Sequence, residues 1–120
     1  GHGASVHGLP ALRRFPDNKW LDIAMIRMNH KGSHMDAEDY NTSGPGNVSE
    51  VVEHVKQVRQ AGMGVISMKL VGEGSFTNRE DRKAAMRFAF KHAGVNSVTV
   101  GFKNPAEIDE AIENLNLALA

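Results

Sequence analysis

Two segments of the chain each pass from a short apolar run through a glycine-bearing loop into a capped helix. The first is Met63–Gly74, which is followed by a predicted helix, and the second is Val98–Ile108, which includes the first residues of another. Successive strand–loop–helix units build parallel sheets, and their loops open over the carboxyl ends of the strands. Glycine loops and helix amino termini at that edge present backbone amides that bind phosphate groups. The sequence therefore predicts an α/β protein with a phosphate-binding corner.

The rest of the chain continues the same alternation of strands and helices. Four strands are half of the eight that close a parallel barrel, which typically takes about 250 residues. We therefore expect residues 1–120 to form one domain, a partial (β/α)₈ TIM barrel of about four parallel strands with four helices. The predicted elements are a strand at Gly3–Val6, a helix from Pro10 to about Phe15, a strand at Leu21–Met28, a long polar loop at Asn29–Asn47, a helix from Asn47 to Gly62, a strand at Val65–Met68, a helix from Thr77 or Asn78 to Gly94, a strand at Val98–Val100 and a helix capped by Asn104.

Two of the helices have strong start signals. Asn47 precedes the first with Glu50 three residues on, and Asn104 precedes the second with Glu107 three residues on, the spacing of a capping box. Pro105 suits the first helical position. Apolar residues at helical spacing predict a buried face on each helix, formed by Val48, Val51, Val52, Val55 and Val58 in one and by Ile108, Ala111, Ile112 and Leu115 in the other.

Two charged residues interrupt the apolar strand patterns. Arg27 and Lys69 need partners if they face inward, because an unpaired buried charge is costly. Asp22 is one candidate partner.

Composition excludes several classes of function. The 14 basic residues balance the 14 acidic ones, so a nucleic-acid or anionic-membrane partner is not expected. No apolar run approaches the roughly 18 residues that span a bilayer, and no signal-peptide pattern is present. We expect a cytoplasmic protein. Cysteine is absent, and the six histidines include no pair at metal-binding spacing on a predicted helix, so no metal site is expected.

Four segments, in the same order, resemble the carboxyl-terminal half of an aldo-keto reductase. Gly3–His7 resembles the Gly-x-Ser segment of that family, and Leu21–His30 resembles the next strand, which ends in an Asn-His pair. Met68–Gly74 resembles the strand and pyrophosphate loop of the Met-Lys-Pro-Leu-Gly-Gly-Gly type. Gly101–Glu110 resembles the final loop and helix, which hold the adenosine phosphate end of the cofactor.

The resemblance implies a binding half-site for a nicotinamide nucleotide. Ser5 would hydrogen-bond the carboxamide, and Met68 would lie against the nicotinamide ring. The backbone amides of Gly72, Glu73 and Gly74 would face the pyrophosphate.

The adenosine end of this implied site is formed by the last loop and helix. Lys103 would neutralise a 2′-phosphate, and Glu110 would accept from the adenine amino group. The sequence departs from the family pattern at Met25, Leu70, Glu107 and Ala111. An acid at Glu107 would repel a 2′-phosphate if it pointed inward, so the choice between NADP and NAD stays open.

The implied whole enzyme is an NAD(P)-dependent oxidoreductase that reduces an aldehyde or ketone. Its catalytic aspartate, tyrosine, lysine and histidine come from the first half of the barrel, and the matched segments contain none of them. Tyr40, the only tyrosine, falls in the long loop. We therefore assign no catalytic residue and expect no carbonyl reduction by this chain alone.

Two other functions remain open. A half barrel with exposed sheet edges could be a non-catalytic module that associates with a second copy or with a complementary half. Alternatively, the chain could belong to a different β/α-barrel enzyme that keeps only the phosphate site of the last two strands. Binding of simple phosphorylated metabolites without nicotinamide nucleotides would favour this last interpretation.

Overall fold

The sheet of this protein is parallel throughout, in a computed structural model that describes residues 1–39 and 45–120. Its strands lie side by side in chain order, which confirms the predicted alternation: β1 (Gly3–Ser5), β2 (Ile23–Arg27), β3 (Gly64–Met68) and β4 (Ser97–Val98). Tyr40, in the long loop, lies outside the described residues.

Four α-helices in the described residues accompany the strands: α1 (Leu9–Leu12), α2 (Val48–Gln60), α3 (Arg79–Arg87) and α4 (Pro105–Leu119). Short 3₁₀ turns cover Phe15–Asp17 and Gly72–Gly74, and a π-helical segment at Phe88–Ala93 continues α3. The first 3₁₀ turn contacts α2, α2 contacts the π-helical segment, and α3 contacts α4. The helical layer therefore follows the order of the strands. No helix in the described residues combines the length and apolar character needed to cross a bilayer.

The predicted helix boundaries are largely confirmed. Asn47, Asn78 and Asn104 each accept a hydrogen bond from the amide three residues on, at 3.1, 2.8 and 3.0 Å. Gly62 and Gly94, which follow α2 and the π-helical segment, have φ of 92° and 75°, where a side chain would be strained. The first helix is shorter than expected, because it ends at Leu12 rather than near Phe15.

The capping-box prediction is wrong in its second half. The Glu50 carboxylate binds the Arg13 guanidinium at 2.5 Å instead of the amide of Asn47. The Glu107 carboxylate reaches the amide of Lys103 at 2.8 Å, one residue before the cap. An arginine brought in by the tertiary fold outcompetes the local backbone contact in the first case.

The core lies on one face of the sheet. Ala24, Ile26 and Val65 point toward the helices and are buried, as are the inward valines Val51, Val55 and Val58 of α2. The opposite face has no layer over its centre in the described structure. There Ser5, Met25, Ile66 and Ser97 lie in one row across the four strands, and none of them is buried.

The predicted buried face of α4 is wrong for two of its four residues. Ile108 and Ile112 are 42% and 53% exposed, whereas Ala111 and Leu115 are partly buried. The buried residues of α4 are Asn114 and Ala118. Helix α4 is the last of the layer and packs against α3, so only the side that faces α3 is covered.

Arg27 has a buried partner, but it is not Asp22. The guanidinium donates from Nε and Nη2 to Oδ1 of Asp36, at 2.9 and 2.7 Å, and the same oxygen accepts from the Gly8 amide at 2.7 Å. Asp22 instead accepts from the amide of His2. Asp36 therefore joins the end of β2, the loop before α1 and the first part of the long loop.

Removing one member of this buried pair should cost much of the stability of the domain. We expect Asp36→Ala to lower the free energy of unfolding by about 3–5 kcal/mol, because Arg27 is left charged and unpaired. The double variant Arg27→Met with Asp36→Leu should recover most of that loss. Urea unfolding followed by circular dichroism measures both, and a loss below about 1 kcal/mol for Asp36→Ala would contradict the assignment.

Candidate functional site

The loop that follows β3 requires glycine at its first position. Gly72 has a φ of 59°, and a Cβ there would lie 2.3 Å from Oγ of Ser75 and 2.9 Å from the ring of Phe76. Gly74 has a φ of 89° with open space around it, and Glu73 takes a φ of 56°. These three successive left-handed residues turn the chain sharply at the carboxyl end of β3, in the segment predicted to face pyrophosphate.

Two of the three loop amides are already used within the loop. The Gly72 amide donates to the carbonyl of Lys69 at 3.0 Å, and the Gly74 amide donates to the carbonyl of Val71 at 3.1 Å. Within the described chain, no turn bond of this kind is found for the amide of Glu73. Glu73 is therefore the loop residue whose amide is best able to meet a ligand.

A cavity of about 520 Å³ lies between this loop and α4. Its lining brings together four of the predicted cofactor residues, Glu73, Gly74, Lys103 and Glu110. The remaining lining is mixed, with apolar walls and a few polar groups: Leu70, Val71, Phe76, Thr77, Arg82, Met86, Val100, Gly101, Phe102, Glu107, Ala111 and Asn114. An apolar cavity with a few charged groups is the usual form of a small-molecule site.

The amino terminus of α4 brings a free cation to the cavity. Lys103 directly precedes the capping residue, and its ammonium has no ion pair with any residue of the described chain. Glu107 lines the same cavity, and its Oε2 accepts from the Lys103 amide. Positive charge and the helix dipole therefore coincide at this end of the cavity.

Glu110 is engaged by an arginine that sequence reasoning missed. Arg82 donates from Nε and Nη2 to the two carboxylate oxygens of Glu110 at 2.7 and 2.8 Å, and from Nη1 to the carbonyl of Phe76 at 3.1 Å. The hydrogen bonds from Arg82 lower the pKa of Glu110 below its usual 4.5. Arg82 is one turn into α3, the helix that follows the glycine loop. This position near the loop is the sequence feature that could have indicated a role in the site.

Asn114 is a second residue that sequence reasoning missed. It lines the cavity, only 3% of its surface is exposed, and its side chain has no hydrogen bond with another described residue. Its spacing from Glu107 and Glu110, at seven and four residues, places all three on one side of α4. Its amide borders the cavity, and its free donors and acceptor can bind a polar ligand there.

Ser5 and Met68 lie apart from the cavity. Ser5 ends β1 on the open face of the sheet, where it lines a shallow depression with Met25 and Ile66. Met68 ends β3 at the carboxyl edge and pairs in register with Arg27. The two residues predicted to hold the nicotinamide therefore lie on the open face and do not line the cavity that Lys103 borders.

A strained polar cluster borders the glycine loop. His34, Lys69 and Glu73 are the three described residues other than glycine that have positive φ, at 54°, 60° and 56°. The Lys69 ammonium pairs with the Glu73 carboxylate, whose other oxygen is 3.4 Å from Nδ1 of His34. Lys69, predicted to need a partner within a strand, instead follows β3 and binds this loop. The described residues contain no cluster of three side chains able to hold a metal ion.

Comparison of the chain with protein-family models, with curated proteins and with solved structures returned no match. The resemblance to aldo-keto reductases therefore rests on the residues of this chain alone.

The contacts around Gly72 give a direct test of the loop. We expect Gly72→Ala to lower the free energy of unfolding by about 1–3 kcal/mol, because alanine is strained at positive φ and its Cβ meets Phe76. Gly101→Ala is the matched control, since nothing lies within 4 Å of its Cβ position and its φ is not positive. Equal unfolding midpoints for the two variants would show that the loop does not need glycine at position 72.

The Arg82–Glu110 ion pair should make the stability of the folded protein more sensitive to acid. Glu110 has a lowered pKa in the folded protein, so its stabilising effect is present above its usual pKa of 4.5 and is lost as pH falls through the lower folded value. The Glu110→Gln variant should lose less stability than the wild type when pH falls below 4.5.

Thermal unfolding between pH 7 and pH 3 measures this difference. Glu53→Gln on the exposed side of α2 is the control and should follow the wild-type profile. Identical profiles for Glu110→Gln and the wild type would contradict the assignment.

Proposed function

We propose that this chain is the cofactor-binding half of an aldo-keto reductase-type oxidoreductase and binds a nicotinamide dinucleotide, NADP or NAD. One observation carries the proposal: a single cavity joins the glycine loop to the amino terminus of α4, where the ammonium of Lys103 has no ion pair among the described residues. Its volume of about 520 Å³ is within the usual range of ligand pockets. In this proposal the four parallel strands are half of a (β/α)₈ barrel.

The phosphate-binding end is formed by Lys103 and the first turn of α4. A 2′-phosphate at this place gains both from the ammonium and from the positive end of the helix dipole. The nearby Glu107 carboxylate opposes it, but one carboxylate oxygen is held by the Lys103 amide. Because Arg82 is already neutralised by Glu110, Lys103 is the unpaired cation of the described cavity lining. We therefore favour NADP over NAD.

The adenine-binding end is formed by the inner side of α4. Arg82 occupies one lone-pair direction on each Glu110 oxygen, and a carboxylate has about four acceptor sites, so Glu110 can still accept from an amino group. The free amide of Asn114 offers a further donor and acceptor. Phe76 and Phe102 add aromatic surface to the cavity, which suits a planar base.

The nicotinamide would lie on the open face of the sheet. A dinucleotide that starts at Lys103 and crosses the glycine loop reaches the carboxyl edge of the strands, where Met68 ends β3 and Ser5 ends β1. In this proposal the Ser5 hydroxyl binds the carboxamide, and Met68 supports one side of the ring. The Glu73 amide, which has no turn bond in the described chain, would approach the pyrophosphate between the two ends.

The reaction of the whole enzyme would be hydride transfer to an aldehyde or ketone. A bound nicotinamide nucleotide supplies that hydride. The residues of this chain bind and orient the nucleotide, whereas the proton for the carbonyl oxygen would come from a tyrosine in the other half of the barrel. The described first part of the long loop, residues 29–39, folds Asp36 against the end of β2 and would border the substrate.

Titration calorimetry with NADPH and NADH tests this proposal. We expect saturable binding of NADPH, weakened about 10-fold or more by Lys103→Met, with a much smaller effect on NADH, because only NADPH carries the 2′-phosphate that Lys103 would contact. Glu107→Gln should strengthen NADPH binding. Lys56→Met, on the exposed side of α2, is the matched control.

Calorimetry is preferable to tryptophan fluorescence here. Trp20 is 63% exposed and precedes β2, at the end of the sheet opposite the glycine loop. Absence of binding by the folded chain up to millimolar nucleotide would contradict the proposal. Binding of glucose 6-phosphate without either nucleotide would instead support the alternative of a generic barrel phosphate site.

A further inference from the structure

Both edges of the sheet lack a neighbouring strand in the described structure. β1 pairs with β2, β4 pairs with β3, and neither has a second partner among the described residues. An unpaired strand edge is a template for pairing with another chain, and here the two edge strands are three and two residues long. All-parallel sheets, moreover, are usually covered on both faces.

The open face is apolar where a covering layer would contact it. Met25 and Ile66 stand at the centre of the row that crosses all four strands, and Ile23 beside them is 38% exposed. The buried pair Arg27–Asp36 closes only the carboxyl end of this face. The centre of the sheet therefore presents side chains that water solvates poorly.

Helix α4 also has an unused apolar side. Ile108, Ile112 and Leu119 are 42%, 53% and 57% exposed, and their spacing of four and seven residues places them on one stripe. Helix α4 is the last helix of the layer and packs against α3. The stripe therefore faces outward, at the side of the protein that β4 and α4 form. The stripe would be covered if the helical layer continued.

The two ends of the layer differ in charge. Helix α4 has four carboxylates and no basic residue. Glu110 and Glu113 are paired with Arg82 and Arg79, whereas Asp109 has no ion pair with another described residue. The segment at the β1 end, residues 9–19, has three basic residues and one acid. Arg13 is taken by Glu38 and Glu50, whereas Arg14 is exposed and has no ion pair within the described chain. An acidic end and a basic end on one molecule fit each other in a second copy.

We propose that two copies of this chain close an eight-stranded parallel barrel. In this dimer β4 of each copy pairs with β1 of the other, and the twofold axis is the barrel axis. Each strand–helix unit places its helix outside, between its own strand and the next, so α4 packs against α1 of the partner copy. The open faces become the barrel interior, and the unpaired Asp109 of α4 lies near Arg14 in the basic segment that follows α1 of the partner copy. This inference does not require the proposed cofactor binding. In the dimer the second copy takes the place of the catalytic half, so the dimer would bind nucleotide without reducing a carbonyl.

Sedimentation equilibrium of the full chain tests the association. We expect a dimer at micromolar concentration, with no larger species because the barrel is closed. Ile66→Asp places a charge in the barrel interior and should give a monomer, whereas Gln57→Asp on the exposed side of α2 should stay dimeric. Circular dichroism establishes that both variants remain folded.

Exchanging the charges of Arg14 and Asp109 tests the geometry of the dimer. This experiment tests the proposal even if Ile66→Asp fails to fold. Arg14→Glu and Asp109→Lys should each weaken the dimer by about 2- to 30-fold, since each contact occurs twice. The double variant carries reversed charges on both sides of each contact, so it should regain wild-type affinity.

Three results would overturn the proposal. The first is a monomer at several hundred micromolar. The second is an open-ended series of oligomers. The third is a dimer that is indifferent to the charge exchange, as expected if the two sheets stacked face to face. Because these measurements use no nucleotide, their failure would leave the calorimetric test of cofactor binding unaffected.

Discussion

The buried ion pair between Arg27 and Asp36 holds together the edge of the sheet on which the candidate site depends. Asp36 is fully buried and accepts hydrogen bonds from Arg27 and from the amide of Gly8, so one carboxylate joins three separate segments of the chain. Its second oxygen is buried without a partner among the described residues. Such a pair is expensive to desolvate, and it specifies one arrangement of the loop because the alternative leaves a buried charge unpaired.

The position of that loop affects the glycine turn beside it. His34, two residues before Asp36, approaches the Glu73 carboxylate, which also binds Lys69. All three residues have left-handed backbone conformations, which are maintained only when surrounding contacts compensate for the strain. The strained residues therefore lie where the loops after β2 and β3 meet, at the carboxyl edge of the sheet. In α/β proteins this edge is where ligands usually bind.

The two proposals share the open face of the sheet, where the nicotinamide would lie, and otherwise use different parts of the molecule. Cofactor binding depends on the cavity between the glycine loop and the inner side of α4, where Lys103 is unpaired and Asn114 is buried without a hydrogen-bond partner in the described chain. Barrel closure depends on the open face of the sheet and the outer side of α4, around Ile112. Helix α4 contributes to both because its inner side faces α3 while its outer side lacks a neighbour in the described structure. Closure would also bring the two open faces, with Ser5 and Met68, into one interior.

The sequence by itself determined the features that depend on local geometry. The strand–helix order, the asparagine caps at Asn47 and Asn104 and the glycine that ends α2 each rest on backbone dihedrals or on hydrogen bonds three residues apart. Tertiary structure decided every contact between distant segments, which local patterns do not encode: Arg27 pairs with Asp36 rather than Asp22, and Arg82 neutralises Glu110. It also decided which side of α4 is buried, because apolar spacing predicts a stripe but only the neighbouring helices determine whether that stripe is covered.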